Sequence, residues 1–204
     1  MEEADQRLEL ALVSEQLQRI QKILRELVTF SRPASTETSW VTTSEIVEEA
    51  LNIAKYYKGT KRRSITVERA PDLPLIHGVR DQLVQIFLNL ILNAVDATRK
   101  DGHIGIVARA CSGFIEVAVR DDGSGISAEN LPRLFQPYFT TKQHGTGLGL
   151  FVSRKLAFAH GGSIEVESHA NGSVFRVRLP VESPAMEAAV NDRIEACLSA
   201  VARQ

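Results

Sequence analysis

Two short glycine-rich segments, DDGSGI and GTGLGL, flank an aromatic segment, LFQPYF, within residues 119–150. Glycine admits φ > 0 and lets backbone amides come close to a ligand. The second segment runs straight into an apolar helical pattern over residues 148–158. A glycine loop feeding a helix N-terminus is a natural anion site, because unpaired N–H groups and the helix dipole face the same way. Two such loops in one window, with Asp121 beside the first, point to a nucleotide site. The chain has no GxxxxGK[ST] phosphate loop, and the glycines of GTGLGL do not follow a strand as the dinucleotide fingerprint requires.

These loops need a rigid wall, and the segment QIFLNLILNAVDA upstream can supply it. Over residues 81–99 the pattern is helical. Gln85, Asn89, Asn93 and Asp96 recur every three or four residues on one face. Leu83, Ile86, Leu90, Ile91 and Ala94 occupy the face that can lie on a sheet. A polar stripe on so apolar a helix is either a solvated face or the side of a site.

The other elements follow from periodicity and turn chemistry. Residues 3–31 read as one helix, with Leu10, Val13, Leu17, Ile20, Leu24 and Leu27 at alternating spacings of three and four. That seam needs a partner, and Leu8, Leu12, Ile23 and Phe30 widen it toward a bundle. Pro33 ends it. Trp40 and Val41 suggest a short strand, and Thr42 with Glu45 a capping box opening a helix to about Tyr57. Lys58, Lys61, Arg62 and Arg63 read as a solvated loop, with phosphate binding as the alternative. Strands are expected at 64–69 and 75–79, then hairpins at 103–110 with 114–120 and at 163–168 with 173–179. Met186, Val190, Ile194, Cys197, Leu198 and Val201 predict a last helix. Helices and mostly antiparallel strands in this order imply an α+β two-layer sandwich, with a long coiled-coil-like helix before it and an extra helix after it.

Composition is that of an ordinary globular chain: 204 residues, 44% apolar, 24% charged, net charge −1. That balance gives no drive toward nucleic acid or an anionic membrane. Cys111 and Cys197 match no metal spacing and fit a reducing compartment. No apolar run is long enough to span a bilayer, and MEEAD is not a secretory leader, so a cytoplasmic location is expected, with the soluble part of a larger, membrane-bound protein as the alternative.

The asparagine helix, DxGxGI, FxPYF and GTGLGL, in this order, resemble the GHKL ATPase superfamily. The chain is most similar to the catalytic, ATP-binding domain of bacterial sensor histidine kinases, over residues 40–180. The resemblance implies a dimerisation helix at 1–32, the second of a hairpin that ends in LVTFSRP. It further implies a linker at 33–39, a catalytic domain at 40–181 and a helical extension at 182–204. It implies ATP or ADP with Mg²⁺ as cofactors, with Asn93 as the metal ligand and Asn89 beside the phosphates. Asp96 stands where many sensor kinases carry a basic residue. An amide oxygen suits a hard cation that completes its octahedron with water and phosphates.

By the same resemblance Asp121 reads adenine, since a carboxylate accepts from the N6 amine and guanine offers O6 there. Asp122 is expected to be exposed. Gly123 and Gly125 let the loop pass the base, and Ile126 covers it. Phe135 hinges a short lid of Thr140, Thr141, Lys142 and His144; Tyr138 and Phe139 read as core anchors. Lys142 is the candidate cation on the terminal phosphates, with His144 either assisting or facing solvent. Gly145, Gly147 and Gly149 offer amides and Thr146 a hydroxyl, Leu148 and Leu150 flank them, and Ser173 is a candidate for a water-mediated adenine contact.

Hydrolysing members of the superfamily carry a Glu four residues before the magnesium Asn. Asn89 stands there and cannot act as a general base. Phosphoryl transfer to a histidine therefore fits better, with Asn89, Asn93 and Lys142 as the catalytic set. No histidine precedes His77, so the first hairpin helix with the phosphoacceptor is expected outside this chain, which is then either a fragment of a longer kinase or a short relative acting on something else. The family further implies a homodimer through the N-terminal helix and a response regulator as partner. The alternatives are an anti-sigma-factor type serine kinase and a non-catalytic nucleotide-dependent interaction module.

Overall fold

The computed structural model describes residues 37–57, 59–142 and 145–181. The heptad helix, the C-terminal helix, Lys58 and His144 lie outside the described residues. Among those described, no helix is long and apolar enough to cross a membrane.

Thr42 sets the first helix, α1 (Thr43–Ala54). Its hydroxyl accepts from the Glu45 N–H at 3.2 Å, and the Glu45 carboxylate accepts from the Thr42 N–H at 3.0 Å. The helix stops three residues short of the expected Tyr57. The N–H groups of Tyr56 and Tyr57 bond three residues back, to Ile53 and Ala54, which tightens the chain into a turn. β1 (Ser39–Val41) pairs antiparallel with β3 (Ile76–Gly78), where the Trp40 and His77 rings stack at 4.8 Å.

The main sheet has five strands in the order β2-β4-β5-β7-β6: β2 (Ser64–Arg69), β4 (His103–Cys111), β5 (Phe114–Asp121), β7 (Gly172–Pro180) and β6 (Ser163–His169). β2 and β4 run parallel, and the other pairs are antiparallel. A parallel pair needs a crossover. It contains α2 (Arg80–Ala97), which lies on β5 and β7, while α3 (Gly149–Ala159) lies on β6 and α1 packs against α2. This is the expected α+β sandwich.

α2 is the rigid wall because of its apolar face. Leu83, Ile86, Phe87, Leu90 and Ile91 are fully buried, each contributing about 1.5–3 kcal/mol relative to exposure. From the sheet, Ile104, Ile106, Ile115, Val117, Val177 and Leu179 meet them at alternate positions. Arg63 departs from the solvated-loop expectation. It is half-buried, and its guanidinium donates to the Gly59 and Thr98 carbonyls at 2.6 and 2.8 Å, closing the C-terminal end of α2. Lys61 and Arg62 are exposed, as expected.

Candidate functional site

The polar stripe of α2 is divided between two tasks. At its N-terminal half, the Asn89 amide donates to the Gly149 carbonyl and the Ser153 hydroxyl, both at 3.1 Å, and its oxygen accepts from Gln85 at 2.8 Å. Asn89 lines the cleft and ties α2 to the first turn of α3. At the other end, Asn93 Oδ1 and Asp96 Oδ2 each accept from the Lys142 ammonium at 2.8 Å. The Tyr57 hydroxyl donates to the other Asp96 oxygen at 3.0 Å. Asn89, Asn93 and Asp96 are each partnered across the tertiary structure, whereas Gln85 bonds within α2.

The second wall is the end of β5. Asp121 is buried, and its Oδ1 accepts from the Gly123 N–H at 2.9 Å, with a further bond from the Ser173 N–H. Burial raises its carboxyl above the usual aspartate range. The two amide bonds oppose that rise and the Asp122 charge adds to it. Asp122 is exposed, as expected, and accepts from the His103 N–H at 2.8 Å. Ile126 is fixed by its N–H, which donates to the Ser168 hydroxyl at 2.7 Å. The same hydroxyl lies 3.1 Å from that of Ser173.

The aromatic and second glycine segments close the cleft. Gly147 has φ of 70°, and a Cβ there would strike the Tyr138–Phe139 peptide, so only glycine lets the two segments touch. Phe139 lines the cleft beneath the Arg133 guanidinium, 4.6 Å from its ring centre. Tyr138 is not a core anchor: it is 76% exposed at φ of 63°. The turn that brings Phe139 inward turns Tyr138 out.

Together these walls enclose a cavity of about 530 Å³, of the size that small-molecule sites take. Of the expected site residues, Asn89, Asn93, Asp96, Asp121, Gly125, Ile126, Thr140, Thr141, Lys142, Gly145, Thr146, Gly147, Gly149, Leu150 and Ser173 line it. Three others do not. Gly123 is buried, and a Cβ there would meet the Ala97 carbonyl at 2.5 Å, so its smallness serves the approach to α2 and not to a base. Phe135 packs on the core with the Arg154 guanidinium 5.3 Å from its ring centre. Leu148 is the N-cap of α3. Sequence reasoning missed Tyr57, Leu92, Ala97, Ser124, Ser127, Asn130, Leu134, Phe139 and Phe175 as lining residues. Leu134 and Phe139 carried a signal as members of the aromatic segment, Ser124 as a member of the first glycine segment, and Leu92 and Ala97 as members of the asparagine helix.

The oxygens suit a hard cation that brings its own ligands. Asn93 and Asp96 already hold one cation, the ammonium of Lys142. Among the described residues no group of three or more His, Cys, Asp or Glu could hold a metal by itself. Mg²⁺ matches such a sparse set when phosphates and water supply the rest.

A family model described as histidine kinase-, DNA gyrase B-, and HSP90-like ATPase matches residues 78–183, half of the chain. The chain belongs to that family. Sensor histidine kinase ZraS of Klebsiella oxytoca is 38% identical over 176 residues, which cover 85% of this chain and 38% of that protein. Sporulation kinase E of Bacillus subtilis is 30% identical over 187 residues, 91% of this chain and 25% of that protein. The chain thus spans well under half the length of these two curated relatives. Among solved structures, the catalytic domain of histidine kinase ThkA superposes with a TM-score of 0.65 at 30% identity, covering 71% of this chain and 95% of that one. ThkA in complex with the response regulator protein TrrA gives 0.69 at 26% identity, covering 84% of this chain and 50% of that one.

Proposed function

We propose that residues 40–181 are the ATP-binding catalytic domain of a two-component sensor histidine kinase. It transfers the terminal phosphate of Mg-ATP to a histidine on a dimerisation helix, the first of the hairpin, that lies outside this chain. The observation that carries the reading is the cleft itself. A buried carboxylate free of any cation closes one end, and a cation cluster on Asn93 and Asp96 closes the other.

Asp121 accepts the adenine amine, with Ser173 beside it and Ile126 held over the base by Ser168. Bound Mg²⁺ neutralises phosphate charge. Asn93 offers it an amide oxygen, and Lys142 reaches the terminal phosphates. Thr140, Thr141, Thr146 and the amides of Gly145, Gly147 and Gly149 complete the phosphate end. Asn89 acts as a clamp between α2 and α3. Its three hydrogen bonds leave no group to activate water, which supports transfer over hydrolysis. ZraS is a sensor histidine kinase and ThkA a histidine kinase, so the serine-kinase and interaction-module alternatives gain nothing from them. The response regulator, the homodimer through residues 1–32, the linker at 33–39, the extension at 182–204 and a cytoplasmic location belong to the same proposal.

Incubation with γ-labelled ATP, with and without a histidine-bearing hairpin supplied in trans, tests it. Label is expected on the hairpin only. Three of the described histidines are engaged elsewhere, His77 stacked on Trp40, His103 meeting Thr66 and His160 between Leu156 and Val79, and the fourth, His169, ends β6 and does not line the cleft. Acid-labile, base-stable label on this chain's own histidines contradicts the proposal, as does ATP hydrolysis without transfer.

A further inference from the structure

Lys142 stands on a pair of oxygens in the cleft suited to a divalent cation. Its ammonium is 2.8 Å from Asn93 Oδ1 and 2.8 Å from Asp96 Oδ2. Such a contact to a neutral amide oxygen and a carboxylate together is what a small hard cation also seeks. Asp96 is not a free-swinging acid. The Tyr57 hydroxyl holds its other oxygen at 3.0 Å, and Tyr57 and Asp96 both line the cleft. Asp96 is the acid in this cluster, so its charge decides how strongly any cation is held there.

We infer that Asp96, oriented by Tyr57, is part of the divalent-cation site, and that in the nucleotide-free chain the Lys142 ammonium fills that site as an internal cation. This deepens the nucleotide reading above and rests on it. Arrival of Mg²⁺ with a nucleotide is then an exchange: the metal takes the place beside Asn93 and Asp96, and the ammonium is released toward the phosphates. The exchange conserves the cation count beside Asp96, so the carboxylate is not left uncompensated in either state. It also makes Lys142 a competitor of the metal, although both serve the same phosphates. Tyr57 is a positioning residue, acting through Asp96.

The test is calorimetric titration of ADP into the full chain, once with excess Mg²⁺ and once with EDTA. The readout is the ratio of the two affinities. In the parent chain the ratio exceeds one. Asp96→Asn keeps the shape, removes the charge and is expected to lower the ratio about fivefold, the scale of one partly exposed charge pair. Lys142→Met removes the competitor and is expected to raise the ratio. Tyr57→Phe is expected to lower it by about twofold. A residue that only held the fold would move both affinities together and leave the ratio alone. An Asp96→Asn ratio equal to the parent's, or a Lys142→Met ratio that falls, overturns the inference. ADP bound equally well with and without Mg²⁺ also overturns it, while leaving adenine recognition intact. A parent chain that binds no ADP under either condition defeats the nucleotide reading itself, which is a distinct result.

Discussion

Two buried carboxylates on the same strand, Glu116 and Asp121, are held in opposite ways. Glu116 faces the outer side of the sheet and is 2% exposed. Arg109 and Arg178, its register neighbours on β4 and β7, both bond to it, at 2.6 and 2.9 Å. Burial pushes its carboxyl up, but the hydrogen bonds and charges of the two arginines outweigh this and hold it below the usual glutamate range. Asp121 is 3% exposed on the inner side and receives backbone amides and no cation. Burial there wins, and its carboxyl is raised. A strand can thus bury one acid as a completed structural pair and another with acceptor capacity left over. The second kind is the one to examine for a ligand.

The sharpest way to break this comparison is to neutralise both acids. Asp121→Asn is expected to weaken ADP binding by about 1–3 kcal/mol, the loss of a charged hydrogen-bond partner, with the melting temperature nearly unchanged. Calorimetry and a thermal melt on the same sample decide it. Unchanged ADP affinity removes Asp121 from adenine recognition.

Glu116→Gln should do the reverse. It removes the shared charge of Arg109 and Arg178, which are partly solvated, Arg178 keeping Glu165, so the cost falls between that of a surface pair and a buried one, about 1–2 kcal/mol of stability. ADP affinity should stay within twofold. If Glu116→Gln weakens ADP as much as Asp121→Asn does, the outer and inner faces are coupled and the contrast fails.

Ser168→Ala is expected to cost less. It removes the acceptor of the Ile126 N–H, worth about 1 kcal/mol, and should appear as a few-fold loss of ADP affinity. No change in affinity means Ile126 holds its place without Ser168.

Acid provides the smallest effect and the finest discrimination. Glu116 has a lowered carboxyl, so its contribution to stability is full above the ordinary glutamate range and is lost as pH falls through its lowered value. Asp121 has a raised carboxyl, so its ionised form, the better acceptor, is lost at a higher pH than an ordinary aspartate's. As pH falls, ADP affinity should therefore weaken before the chain loses stability. Asp121→Asn should remove that early part of the dependence. Phosphate titration affects both proteins and cancels in their ratio. A parent-to-variant ratio that does not change with pH contradicts the assignment to Asp121.

Much of this molecule was determined by its sequence. Strict alternation placed β4, β5, β6 and β7 within a residue or two, and TxxE at Thr42 placed the start of α1, because these signals depend on neighbours along the chain. The same holds for the site's outline. The apolar face of α2 forces its asparagines to one side, and Gly147 at positive φ is a local demand of the turn it makes. What remained belongs to contacts between distant segments. Tyr57 meets Asp96 across 39 residues, Lys142 meets Asn93 across 49, and Ser168 meets Ile126 across 42. No periodicity encodes such pairs. Tyr138 and Phe139 are adjacent aromatics with the same sequence signal. The turn packed on Gly147 leaves one in the cleft wall and the other in solvent. Sequence supplied the groups at the site. Only the closing of α2, β5 and the glycine segment on one another decided which partners those groups hold, because hydrogen-bond geometry is set by distances in space and not along the chain.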